Sequence, residues 1–142
     1  MPRPAVAISL ALAAAAGCPG RRDDRSTPER MLQTCFAAVQ RDDRAQMKRC
    51  YSRTWPYDEL LDSLSAGKRA EYDRYRREVL ARSTVEVAER RPARDGNPDV
   101  LFIVPRYHRP DGGVEVDAAL WTEIRRVDGQ WLIWAEHNDL FE

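Results

Sequence analysis

Only two side chains in this chain carry an imidazole, the group that most readily moves protons near neutral pH. Its two histidines are His108 and His137, and the groups able to work beside them are Tyr72, Tyr75, Tyr107, Asp117 and Glu123. An imidazole set beside a phenol or carboxyl in an apolar pocket is the equipment of general acid–base catalysis, because burial tunes the pKa values. His137, Tyr72 and Tyr75 are the candidate catalytic groups. Each also has a plainer reading, as a strand-end histidine bonded to backbone or a tyrosine ring packed with its hydroxyl reaching water. Nucleophilic and phosphate chemistry are not indicated: no Ser-His-acid order and no phosphate-cradling glycine loop occur, and Gly112-Gly113 reads as a turn. The three cysteines are Cys18, Cys35 and Cys50. No histidine or further cysteine lies near the last two, so no metal is implied, and no cofactor either.

A hairpin must position His137. From Val114 through Val116, Ala118, Leu120, Thr122 and Ile124, every second residue is apolar or β-branched, and Trp131-Leu132-Ile133-Trp134 follows Asp128-Gly129. Alternation on both sides of Asp-Gly predicts a β-hairpin. With a two-residue turn, Ile124 faces Ile133 and Leu120 faces His137, which puts His137 on the face of Leu120, Ile124, Trp131 and Ile133. Trp121, Leu132 and Trp134 then share the other face with Glu123, Arg125 and Glu136. Large aromatics among charges make these three the candidate interface residues. A bulge at Gly129 after a three-residue loop would slip the pairing and move His137 relative to Leu120.

Upstream, 83–89 alternates Val85 and Val87 with polar residues and predicts a half-buried strand, 90–98 a loop, and Val100-Leu101-Phe102-Ile103-Val104 a central strand running to Tyr107 or His108. Pro110-Asp111-Gly112-Gly113 turns the chain into Val114. Four strands with short connections make an antiparallel meander.

The N-terminal half is helical. Thr27 with Pro28 at the first position, or Ser26 with Glu29, can cap a helix whose apolar stripe is Met31, Leu32, Cys35, Phe36 and Val39. Arg41-Asp42-Asp43-Arg44 breaks it and supplies a new cap, and Met47, Cys50 and Tyr51 carry a second helix to near Trp55-Pro56. Pro56 opens a third, with Tyr57, Leu60, Leu61 and Leu64 on one face. After Ser65-Ala66-Gly67, Tyr72, Tyr75 and Val79 recur at helical spacing. Cys35 and Cys50 lie equally far from a turn centred between Asp42 and Asp43, on stripes that face each other. In an export compartment thiols so placed form a disulfide contributing about 3 kcal/mol. The alternative is two buried free thiols acting as small core residues.

Composition narrows the partners. Basic and acidic residues balance at 23 each, and no basic stripe with interleaved aromatics stands out, so nucleic acid is not expected. Residues 5–16 are apolar apart from Ser9. That is too short to cross a bilayer core of roughly 30 Å as a helix, but suits the central region of a secretory signal peptide. At its end, Ala15-Ala16-Gly17-Cys18 resembles the lipobox of bacterial lipoproteins, departing from it in having Ala where Leu is usual. The resemblance implies a signal peptide over 1–17, acylation of Cys18 as the mature N-terminus, and export to the cell envelope. Pro19 in place of Asp after the cysteine implies the outer membrane rather than the inner. Residues 18–26 would be a polar tether and 27–142 a single α+β domain. An ordinary secretory signal cut after Ala-x-Ala would instead leave Cys18 a free thiol.

Helices opened by Thr-Pro-Glu, an Asp-Asp helix turn, and a meander ending Val-Asp-Gly-Gln-Trp-Leu-Ile-Trp together resemble the nuclear transport factor 2-like, or cystatin-like, fold over 27–136. That fold is an α+β cone in which a curved four-stranded antiparallel sheet wraps helices. Enzymes of this kind, similar to ketosteroid isomerase, work inside the cone with a carboxylate base and hydrogen-bond donors. Two functions follow as expectations. One is a membrane-anchored lipoprotein, facing the periplasm or at the surface, with a non-catalytic ligand- or protein-binding domain. Its partners would be the bilayer through acylated Cys18 and a second copy, through the sheet, or another envelope protein. The other is a small periplasmic isomerase or dehydratase with His137 and a tyrosine in the cone.

Overall fold

A computed structural model describes residues 23–52, 56–116 and 120–138. Residues 1–17, which were expected to be a signal peptide, and Cys18, Trp55 and Asp117 lie outside the described residues. The chain is α+β; among the described residues four α-helices and a short 3-10 turn (Leu80–Arg82) precede an antiparallel open sheet: α1 (Pro28–Arg41), α2 (Arg44–Cys50), α3 (Pro56–Ser63), α4 (Ala66–Glu78), then β1 (Thr84–Pro92), β2 (Val100–His108), β3 (Val114–Val116), β4 (Leu120–Val127) and β5 (Gln130–Asn138).

Local chemistry sets the helix ends. Thr27 is the cap of α1, accepting from the Arg30 N–H with Pro28 at the first helical position. The two aspartates divide the next junction between them. Asp42 closes α1 at φ 55°, a left-handed conformation that a short polar side chain tolerates. Asp43 opens α2 by accepting from Gln46. The second helix stops at Cys50, short of the expected end near Trp55, because the chain leaves it to join the sheet. Tyr51 bridges Ile133, and the Ser52 N–H donates to the Ile133 carbonyl at 2.9 Å. Ser65 caps α4.

The sheet order is β1-β2-β4-β5. The short strand β3 pairs with the Arg106–His108 end of β2, while β4 pairs with its Val100–Ile103 end. The expected third strand is thus present as two described pieces on one edge of β2. Strand β1 runs to Pro92, taking in residues 90–92 that were expected to be loop. It carries a bulge between Val87 and Glu89.

One face of the sheet holds the core. Val87, Leu101, Ile103, Ile124, Trp131 and Ile133 meet Met31, Cys35, Cys50 and Tyr51 of the α1–α2 pair. Cys35 and Cys50 are joined as a disulfide with Cα atoms 5.8 Å apart, both buried in this core. Ile103 and Ile124 are fully buried. Each would expose on the order of 2 kcal/mol worth of apolar surface if turned outward. Helix α4 is attached differently, by arginines: Arg69 pairs with Asp42 at 3.1 Å and Arg76 donates to the Gln40 carbonyl at 3.1 Å.

Candidate functional site

The terminal hairpin turns as expected but does not keep its register. Asp128 and Gly129 both have positive φ, 51° and 77°, the pair of left-handed residues that a two-residue turn matched to strand twist requires. Ile124 opposes Ile133 as expected. One step further Glu123 opposes Ala135, so Trp134 is the extra residue of a bulge, and beyond it Trp121 opposes His137. Because side chains alternate with period two, one inserted residue carries everything past it to the other face. His137 therefore does not share the face of Ile124. The shift also takes Glu136 the other way, to the helix-covered side beside Thr122.

On the face opposite the helices this brings together Phe102, Glu123, Arg125, Leu132 and His137. Glu123 is their centre. Its side chain is buried, one oxygen lies 2.6 Å from His137 Nε2, and the other accepts from Arg125 Nε at 2.7 Å. Burial pushes the Glu123 carboxyl up, but the hydrogen bonds from His137 and Arg125, with the Arg125 charge, outweigh it and hold the carboxyl below the ordinary glutamate range. The Arg125 guanidinium lies 4.4 Å from the ring centre of Trp134, a cation–π contact. The His137 ring meets Phe102 edge-on at 5.9 Å. Arg125 and Phe102 also line an open cleft of roughly 410 Å³ with Val100 and the 93–97 loop.

The three interface candidates differ in exposure. Trp121 is buried beneath Arg91, 4.9 Å from its ring centre, and Leu132 is half-buried. Trp134, at 40% exposure, is the large aromatic that this face presents. Val114, Val116 and Val127 lie on the same face and are exposed as well.

Between α1 and the sheet lies a much smaller space. A cavity of roughly 120 Å³ is lined by Met31, Tyr51, Ile103, Tyr107, Thr122 and Glu136, among others. Sites for small organic ligands run to about 300–1,000 Å³. Tyr107 packs its ring on Phe36 at 5.5 Å. Of the other candidates, Tyr75 is 42% exposed on α4, Tyr72 lies under Arg69, and neither lines this cavity. His108 sits at the far end of β2, 3.3 Å from Glu86. The structure thus separates the histidine from the tyrosines with which it was expected to work.

Arg125 and Phe102 were not foreseen as its neighbours. The cause is the bulge, and nothing in the local sequence marks Trp134 as a bulged residue. Among the described residues no group of three or more His, Cys, Asp or Glu could hold a metal ion. No family model, no curated protein and no solved structure matches this chain.

Proposed function

We propose that this chain is a lipoprotein of the cell envelope, exported, acylated on Cys18 and directed to the outer membrane. Its nuclear transport factor 2-like domain is a non-catalytic module that binds a protein partner through the sheet face opposite the helices. The observation that carries this reading is the platform on that face. Glu123 fixes Arg125 against exposed Trp134, with Leu132 and Phe102 beside them. Aromatic and arginine side chains held rigid lose little entropy on association and are the usual anchors of protein interfaces.

The Cys35–Cys50 link supports export, since structural disulfides belong to oxidising compartments. Among the described residues the space between α1 and the sheet is small, which favours a surface partner over a ligand enclosed there. An isomerase or dehydratase working inside the cone would need His137 there, and His137 lies on the opposite sheet face.

Mass spectrometry of the mature N-terminus tests the anchor. An acylated Cys18 is expected, and an unmodified thiol would remove this part of the proposal. Sedimentation of the detergent-solubilised protein over a concentration series tests the face. Association abolished by Trp134→Ala identifies a second copy as the partner. A monomer at every concentration, with no envelope protein cross-linking to a photoreactive group at position 134, would sink the binding-face reading.

A further inference from the structure

The stretch before α1, which reads as spacer, is built into the domain from Asp23 onward. Arg25 is only 9% exposed. Its N–H donates to Gln130 Oε1 at 2.9 Å, and its carbonyl accepts from the Trp131 N–H at 2.7 Å, tying it to the start of β5. Its guanidinium donates to the Arg49 carbonyl at the end of α2 and to Asp23 at 2.8 Å. Gln46 donates to the same Asp23 carboxylate at 3.0 Å, and Thr34 donates to the Asp24 carbonyl at 2.8 Å. Burial raises the Asp23 carboxyl, but hydrogen bonds from Arg25 and Gln46 and the charges of Arg25 and Arg49 hold it below the ordinary aspartate range. A free spacer needs none of these bonds, and hydrogen bonds to charged groups are the stronger kind.

We propose that this clasp cuts the tether to residues 18–22 and thereby holds the Asp128-Gly129 end of the domain against the lipid surface. The inference rests on the reading of Cys18 as the lipid anchor. From Cys18 to Asp23 the chain reaches at most about 18 Å when fully extended. Strand β2 by itself covers about 26 Å from Val100 to His108. The Arg126 N–H bonded to the Asp99 carbonyl places the Val100 end of β2 beside the β4–β5 turn, with the 109–113 turn at the opposite end. The end that carries Arg25 is therefore the one within a short tether's reach of the membrane. Exposed Val127 and the Arg126–Asp99 ion pair, at 2.6 Å, are what it offers to headgroups. Strands standing away from the bilayer leave the Trp134 face open to a partner from the side.

The test uses the full processed protein in vesicles of phosphatidylethanolamine and phosphatidylglycerol, with an environment-sensitive fluorophore on Val127→Cys or on Pro110→Cys. Lipids carrying a nitroxide on the headgroup should quench the first label several-fold more strongly than the second. An insertion of about ten Gly/Ser residues between Gly20 and Arg21 keeps the clasp and lengthens the tether, and should erase the difference. Equal quenching at the two positions in acylated protein, or a difference that survives the insertion, overturns the proposal. Mass spectrometry of the same sample separates the two readings, because an unacylated Cys18 removes the anchor itself and the orientation with it.

Discussion

Glu123 Oε2 and His137 Nε2 lie 2.6 Å apart across the β4–β5 ladder, on the sheet face opposite the α1–α2 pair. They meet because Trp134 is pushed out of register. Without that bulge His137 would oppose Leu120 and emerge on the other face. With it, His137 opposes Trp121 and becomes a diagonal neighbour of Glu123, within reach of a long side chain.

The Glu123 carboxyl sits below the ordinary glutamate value of 4.5 in the folded chain. A depressed folded pKa gives stability that is present above the unfolded pKa and lost as pH falls through the folded one. Stability to urea should therefore fall below about pH 4.5, and Glu123→Gln should flatten part of that fall. At neutral pH the same substitution should cost about 1–3 kcal/mol. Denaturation midpoints of both proteins between pH 3 and 7 check this, and parallel curves would contradict it.

Replacing Cys35 and Cys50 together by Ala should lower stability by about 3 kcal/mol, the value for closing a loop of this length. Both cysteines are buried, so reductant added to the folded protein should act only at the rate of unfolding. Thiol titration over time, with and without urea, reads this directly.

Gly129 has φ 77° with open space where a Cβ would sit. Gly129→Ala meets no neighbour and should cost only the left-handed backbone penalty of about 1–2 kcal/mol. Equilibrium unfolding measures it. A cost near zero would mean that the turn relaxes to another type.

Arg25→Ala should destabilise the domain by about 1.5–3 kcal/mol, because it removes charged hydrogen bonds from a nearly buried site. The Trp131 amide, which donates to the Arg25 carbonyl, should also exchange its hydrogen faster. Exchange followed by mass spectrometry or NMR distinguishes this local release from a general loss of stability.

Trp134→Ala should cost the domain itself about 0.5–1 kcal/mol for the cation–π contact with Arg125 and on the order of 2 kcal/mol for the covered part of the ring. Its effect on partner binding should be larger. Thermal unfolding and sedimentation on the same preparation compare the two.

What the sequence by itself determined is what short-range chemistry determines. Thr27-Pro28, the Asp42-Asp43 junction and Asp128-Gly129 each act over one turn of chain, so residue type placed the caps and the turn and left open only Ser26 against Thr27 and the loop length at Gly129. The Cys35–Cys50 pairing followed from helical period across a single turn. The α+β order of helices and then an antiparallel sheet followed from the change of period along the chain. Tertiary structure decided where two long-range ladders settled. The bulge at Trp134 arises between β4 and β5, and it alone chooses the face of His137. The clasp joins Arg25 to Gln130 across a separation of 105 residues. Neither leaves a local mark. A bulge depends on how two strands share twist and packing, and a buried arginine depends on partners that the chain supplies only once the sheet has closed on the helices.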